Sequence, residues 1–251
     1  MRKSVYYEGQ DLEALANIPR YQNWIMSGFR RHLKGRVIEV GAGTGNISAR
    51  YVSDVEEAVL LEPAQNLFDE LKRRFRGKPH VHPVLALLED LSEERFAEKY
   101  GANPGSFDVA LMVNVLEHIE DDALTLSYLF DLLRPGGALL LFVPALPWLY
   151  GTLDVLVHHV RRYSLDEMAK LVSERGFTIQ KLCYFDWLGV IPWFITGRIL
   201  RQRRFSERGA KVYDRLGVPI ASFVEGLIEP PFGKNLMCIA HKPNPRSDAP
   251  L

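Results

Sequence analysis

Between positions 37 and 46 the chain reads Val-Ile-Glu-Val-Gly-Ala-Gly-Thr-Gly-Asn, an apolar β-branched run that breaks into three alternating glycines. Gly41, Gly43 and Gly45 let the backbone turn sharply and approach a ligand with no Cβ in the way. The helix expected to begin at Asn46 and run to Val52 would offer unpaired amides to a carboxylate. A strand that ends in such a loop and feeds a helix is half of a βαβ unit, which restricts the chain to α/β architectures.

The rest of the sequence keeps that alternation. Apolar runs over 36–40, 58–61, 80–85, 107–113 and 138–143 predict five strands, and 64–75, 121–133 and 164–175 predict helices between and after them. Leu67, Phe68, Leu71 and Phe75 share one helical face, and Ser164 with Glu167 forms a capping box. Runs over 177–185 and 235–241 complete the set. Unbroken apolar strands alternating with amphipathic helices imply a doubly wound, mostly parallel seven-stranded sheet with helices on both faces. Its ligand crevice lies outside the carboxyl ends of the strands.

At 251 residues the chain is one domain, divided into a helical N-terminal cover (1–34), a cofactor-binding core (35–186), a lid inserted before the last strand (187–234), that strand (235–242) and a flexible polar tail (243–251). Lys plus Arg equals Asp plus Glu at 31 each, and no basic face with interleaved aromatics lies outside the lid, so a nucleic-acid partner is not expected. Cys183 and Cys238 stand far apart without a CxxC or Cys/His cluster, which predicts neither a metal site nor a disulfide framework. The charged N-terminus lacks an apolar core of signal-peptide length, so a cytoplasmic location is expected. The longest apolar stretch, Leu182–Leu200, is interrupted by Asp186, Gly189, Pro192, Gly197 and Arg198 and does not read as a membrane span.

The glycine spacing is GxGxG. A dinucleotide fingerprint would need a third glycine where Asn46 stands, although Glu62 meets its requirement for an acidic residue after the second strand. Glu62 suits the ribose hydroxyls of either cofactor class. With the Glu39-containing glycine motif, Glu62–Pro63, the block 107–119 containing Asn114, Glu117 and His118, and the Leu133–Gly137 turn, the chain resembles the class I S-adenosylmethionine-dependent methyltransferases.

The resemblance implies that Gly41, Ala42, Gly43, Gly45 and Asn46 line the methionine moiety, with Glu39 orienting nearby groups. Glu62 and Pro63 would hold the ribose, and Asn114 the pocket floor. Leu87 stands where the family often has an Asp for the adenine amine, which leaves that contact to backbone groups at Leu87 and Leu88 or to Glu89. Tyr21 matches an aromatic that caps the cofactor in similar proteins.

After the fifth strand, a polar loop contains Tyr150, Gly151, Asp154, His158, His159, Arg161, Arg162 and Tyr163. It is similar to a pattern in bacterial methyltransferases, several joined to glycosyltransferases, in which Gly is usual at position 158 and the Pro231–Phe232–Gly233 ending recurs. His159 and His118 are candidate bases, with Tyr150 and Asp154 beside them, because imidazole titrates near neutral pH. His118 capping its helix and His159 bonding Asp154 structurally is an equal alternative. Arg161 and Arg162 are candidate grips for an anionic group on the acceptor, and Tyr163 and Trp187 are candidate acceptor contacts. The arginines at 198, 201, 203, 204 and 208 beside the apolar lid suit peripheral contact with an anionic membrane.

The expected activity is methyl transfer from S-adenosylmethionine to a small organic acceptor, at oxygen, nitrogen or carbon. The rivals are a non-catalytic, cofactor-binding partner of a membrane glycosyltransferase and an NAD-dependent oxidoreductase. Nothing in the sequence sets the oligomeric state.

Overall fold

The computed structural model describes residues 18–92, 98–204 and 206–244. Residues 1–17 of the expected N-terminal cover, residues 93–97, Phe205 and the tail beyond 244 lie outside the described residues.

Seven strands form one sheet: β1 (Arg36–Val40), β2 (Glu57–Leu61), β3 (Val81–Val84), β4 (Phe107–Val113), β5 (Leu133–Pro144), β6 (Thr178–Phe185) and β7 (Asn235–His241). Their order is β3-β2-β1-β4-β5-β7-β6, parallel except for β7, which runs antiparallel between β5 and β6. The order reverses beside β1, so the crevice at its carboxyl end is the switch point where ligands bind in doubly wound sheets.

Both faces of the sheet are covered, as its unbroken apolar strands require. Ile38, Val59, Ala110 and Leu139 turn toward Leu126 and Leu129 of α3 (Asp122–Leu132) and Met168 and Val172 of α5 (Leu165–Glu174). Their chain neighbours Val37, Leu60, Leu111 and Leu140 turn the other way. There they meet Ile25 and Phe29 of α1 (Pro19–Phe29) and Leu71 of α2 (Gln65–Arg74). Pro19 begins α1, a position where its missing N–H costs nothing. Ser164 and Glu167 close the capping box at α5 as the sequence predicts.

The helix expected over 46–52 is only a 3-10 turn, Ser48–Arg50. Ser48 and Tyr51 turn their hydroxyls inward to a buried carboxylate instead of propagating the helix.

A short helix, α4 (Thr152–Leu156), lies in the polar loop after β5. Between β6 and β7 the chain is helical: α6 (Val190–Phe194) continues through a π-turn at Ile195–Ile199, and α7 (Glu207–Val212) continues through Tyr213–Gly217 into α8 (Val218–Glu225). Among the described residues, no helix is long and apolar enough to cross a membrane.

Candidate active site

A cavity of about 480 Å³ opens at the carboxyl ends of β1, β2 and β4. On its β1 side the glycine loop makes the wall, and its three glycines do different work. A Cβ on Gly45, at φ +81°, would fall 2.6 Å from the Phe75 ring and 2.8 Å from Leu71, so Gly45 packs the loop against α2 and faces away from the cavity. A Cβ on Gly43, at φ +56°, would meet nothing within 4 Å, because the space before it is the cavity itself. That opening is the close backbone approach a bound cofactor needs.

Two carboxylates flank the loop. Glu39, at 3% exposure, accepts from Ser48 Oγ at 2.6 Å and Tyr51 Oη at 2.8 Å, and burial pushes its pKa up to about 7 against those donors. Glu62, at the end of β2, takes the Gly43 amide on one oxygen and the Ala64 amide on the other, both at 2.8 Å. Burial raises its pKa too, and the two amides oppose the shift. Each oxygen keeps a second lone pair for a ligand hydroxyl. Asn114 adopts a left-handed φ of +53°, held by its amide on the Phe142 carbonyl, and brings its edge to the cavity with Ala42, Asn46 and Pro63.

The opposite wall is built from the loop after β5. His159 Nδ1 lies 2.9 Å from Asp154 Oδ1, and the same oxygen takes Nε of Arg162 at 2.7 Å. Asp154 is fully buried, and its other oxygen caps α4 through the Gly151 amide. Burial alone would raise the Asp154 pKa, but the His159 and Arg162 bonds hold it below its ordinary value. His159 Nε2 faces Glu117 Oε1 at 3.6 Å.

Glu117 is buried with no hydrogen-bond partner on either oxygen, and burial pushes its pKa up to about 8. Burial, reinforced by the neighbouring His159, lowers the His118 pKa to about 4. One ligand atom from each of Glu117, His118 and His159 lies within 4.8 Å of the others, a donor set of the kind that a divalent cation accepts. His158, whose carbonyl lies 3.3 Å from His118 Nδ1, adopts φ +61°, a left-handed conformation that glycine takes at no steric cost.

A family model described as a methyltransferase domain matches residues 15–182. The chain belongs to the methyltransferase domain family.

The highly reducing polyketide synthase PKS6 of Gibberella zeae is 28% identical over 150 residues, covering 57% of this chain and 6% of the synthase. The chain therefore spans only a small part of the curated relatives it matches. Among solved structures, a SAM-dependent methyltransferase from Thermotoga maritima superposes with TM-score 0.60 at 18% identity, covering 91% of both chains. Haemonchus contortus phosphoethanolamine N-methyltransferase 2, in complex with S-adenosyl-L-methionine, superposes with TM-score 0.62 at 15% identity, covering 94% of this chain and 58% of that one.

In the methyltransferase, several residues singled out from the sequence stand behind the cavity wall. Tyr150 donates to the His159 carbonyl at 2.7 Å and so fixes the loop. Arg161 is spent on Asp122 and the Glu120 carbonyl, and Tyr163 also donates to Asp122, so these two tie the loop to the start of α3. Leu88 packs into the core, and Leu87 donates its amide to Asp90.

Trp187 does not reach the cavity. The left-handed Asp186 (φ +65°) redirects the chain after β6, and Trp193, on α6, lines the wall instead. Lys234 and Asn235, where β7 begins, also line the cavity. Lys234 Nζ pairs with Asp186 at 2.9 Å and lies over the rings of Tyr21 and Trp193, at 4.7 and 5.6 Å from their centroids. Tyr21 lines the cavity and donates to Asn235 Oδ1 at 3.0 Å.

Proposed function

We propose that this domain transfers a methyl group from S-adenosylmethionine to a small organic acceptor bound between the glycine loop and the wall formed by His118, His159 and Trp193. The observation that carries this reading is the open space before Gly43, with Glu39 and Glu62 on one side and the His159–Asp154 pair across the same cavity.

Glu62 is placed to accept from ribose hydroxyls, while Glu39, Ala42, Asn46 and Asn114 line the part that would hold the methionine moiety. Bound there, S-adenosylmethionine supplies an electrophilic methyl carbon on a sulfonium. The protein must then align a nucleophile and take up its proton. His159 suits that task. Its Nδ1–H donates to Asp154, which fixes the tautomer and leaves the Nε2 lone pair to accept a proton from an acceptor O–H, N–H or activated C–H. His118, with its pKa depressed, stays neutral near pH 7 and adds no positive charge opposite a cationic cofactor. Arg162 is held by Asp154 and the Ala145 carbonyl and lies 4.9 Å from the Trp193 ring, so it shapes the wall that the acceptor meets.

Isothermal calorimetry with S-adenosylhomocysteine, run beside NAD, tests the cofactor. Binding of the first alone is expected, and binding of NAD instead would overturn the reading. Release of S-adenosylhomocysteine in the presence of acceptors, absent in their absence, separates an enzyme from a cofactor-binding partner without turnover.

A further inference from the structure

Nineteen large apolar side chains are exposed among the described residues, and thirteen of them lie between 191 and 232. They are ordered along the helices. On α6 and its π-turn, Ile191, Ile195 and Ile199 follow at intervals of four, with Phe194 beside them, so one outer face is apolar. On the helix made by α7 and α8, the stripe is Val212, Leu216, Ile220, Phe223 and Leu227, with Phe223 and Leu227 both 71% exposed. The inner face of that helix is already satisfied: Val218 and Ala221 are buried, and Asp214 accepts the Tyr21 amide at 2.8 Å. The outer stripe is therefore surplus to the fold, since a soluble surface helix normally turns charge to that side.

The charge beside these stripes has one sign. Between 198 and 215 the chain carries seven Lys or Arg against two acidic residues, in a protein of formal net charge 0. Arg201, Arg203, Arg204, Arg208, Lys211 and Arg215 are all exposed. Arg208, Lys211 and Arg215 line a shallow cleft with Val212 and Glu207. Apolar helical stripes flanked by guanidinium groups match the surface of an anionic bilayer, where the side chains enter the acyl boundary and the cations meet phosphates.

We infer that the helices between β6 and β7 dock this protein on an anionic phospholipid surface. Trp193 lines the cavity from the same helix whose Ile191, Phe194 and Ile195 face outward, so the docked surface backs directly onto the acceptor wall. Resting on the proposed methyl transfer, the acceptor class that fits this placement is an amphiphile taken from the bilayer interface.

Co-sedimentation of the purified chain with phosphatidylcholine vesicles and with vesicles containing phosphatidylglycerol tests the docking. Binding to the anionic vesicles alone, weakened by salt, is expected. The Leu216→Asp/Phe223→Asp variant should lose it, and Arg203→Glu/Arg204→Glu should weaken partitioning about tenfold or more. Both variants change exposed side chains, so their melting temperatures and S-adenosylhomocysteine affinities should match the parent. Intact cofactor binding without vesicle binding would refute the docking while leaving the methyltransferase reading in place. Vesicle binding unaffected by either variant would also refute it. So would a dimer in light scattering that Leu216→Asp/Phe223→Asp dissociates, because a second copy would then cover the stripe.

Discussion

The Nδ1 of His159 meets Oδ1 of Asp154 at 2.9 Å, which orients a cavity-lining imidazole whose other nitrogen lies 3.6 Å from the buried Glu117. This orientation makes His159 separable from cofactor binding. His159→Gln is expected to lower turnover by about 10²-fold or more, the range for loss of a general base. S-adenosylhomocysteine affinity should stay within a factor of about two, well below one decade of binding energy. Steady-state rates beside calorimetry check the split, and unchanged turnover would remove His159 from the chemistry.

Glu62 lines the cavity and accepts the Gly43 and Ala64 amides. Glu62→Ala should weaken S-adenosylhomocysteine binding by about 1.5–3 kcal/mol, the cost of hydrogen bonds to a charged acceptor. Calorimetry reads the affinity and circular dichroism the fold. An unaltered dissociation constant would end the ribose assignment.

The glycine loop predicts a contrast. Gly43→Val should abolish cofactor binding, because its side chain enters the open cavity. Both positions carry the left-handed φ that costs about 1–2 kcal/mol for a residue with a Cβ, but Gly45→Val should lower stability further, through collision with Phe75 and Leu71. Thermal melts with and without S-adenosylhomocysteine distinguish the two, and equal losses of stability would contradict the assignment of the loop's faces.

Glu39 gives the apo protein a pH signature. Its folded pKa, about 7, lies above the ordinary value of 4.5, so its contribution to stability is fully present below pH 4.5 and is lost as pH rises through 7. Glu39→Gln has no such loss. The stability of the variant relative to the parent should therefore rise as pH increases across that window. Urea unfolding at several pH values measures it, and parallel curves would show that Glu39 does not titrate there.

The strands, and the place of the glycine loop at the cavity, were legible because their signals are local. β1 and β7 occupy the predicted residues, since an apolar run bounded by turn residues needs no distant information. The acceptor wall was less legible. Nothing in the sequence says that Glu117 is buried without a hydrogen-bond partner, because burial of a charge is a property of the packed protein. Trp187 and Trp193 are equivalent in composition, and only the left-handed turn at Asp186 decides which one faces the cavity. The expected helix over 46–52 failed because Ser48 and Tyr51 answer Glu39 rather than their own turn.

β7 lies between β5 and β6 although it follows β6 in the chain, and β6 has no other strand partner among the described residues. A ribosome therefore releases β6 some fifty residues before its hydrogen-bonding neighbour exists. Until β7 threads into that slot, the nascent protein presents two open strand edges facing one another across a gap. Such edges invite pairing with foreign chains. Closure of the sheet, and with it the positioning of Lys234 and Asn235 at the cavity, becomes one event that waits for β7.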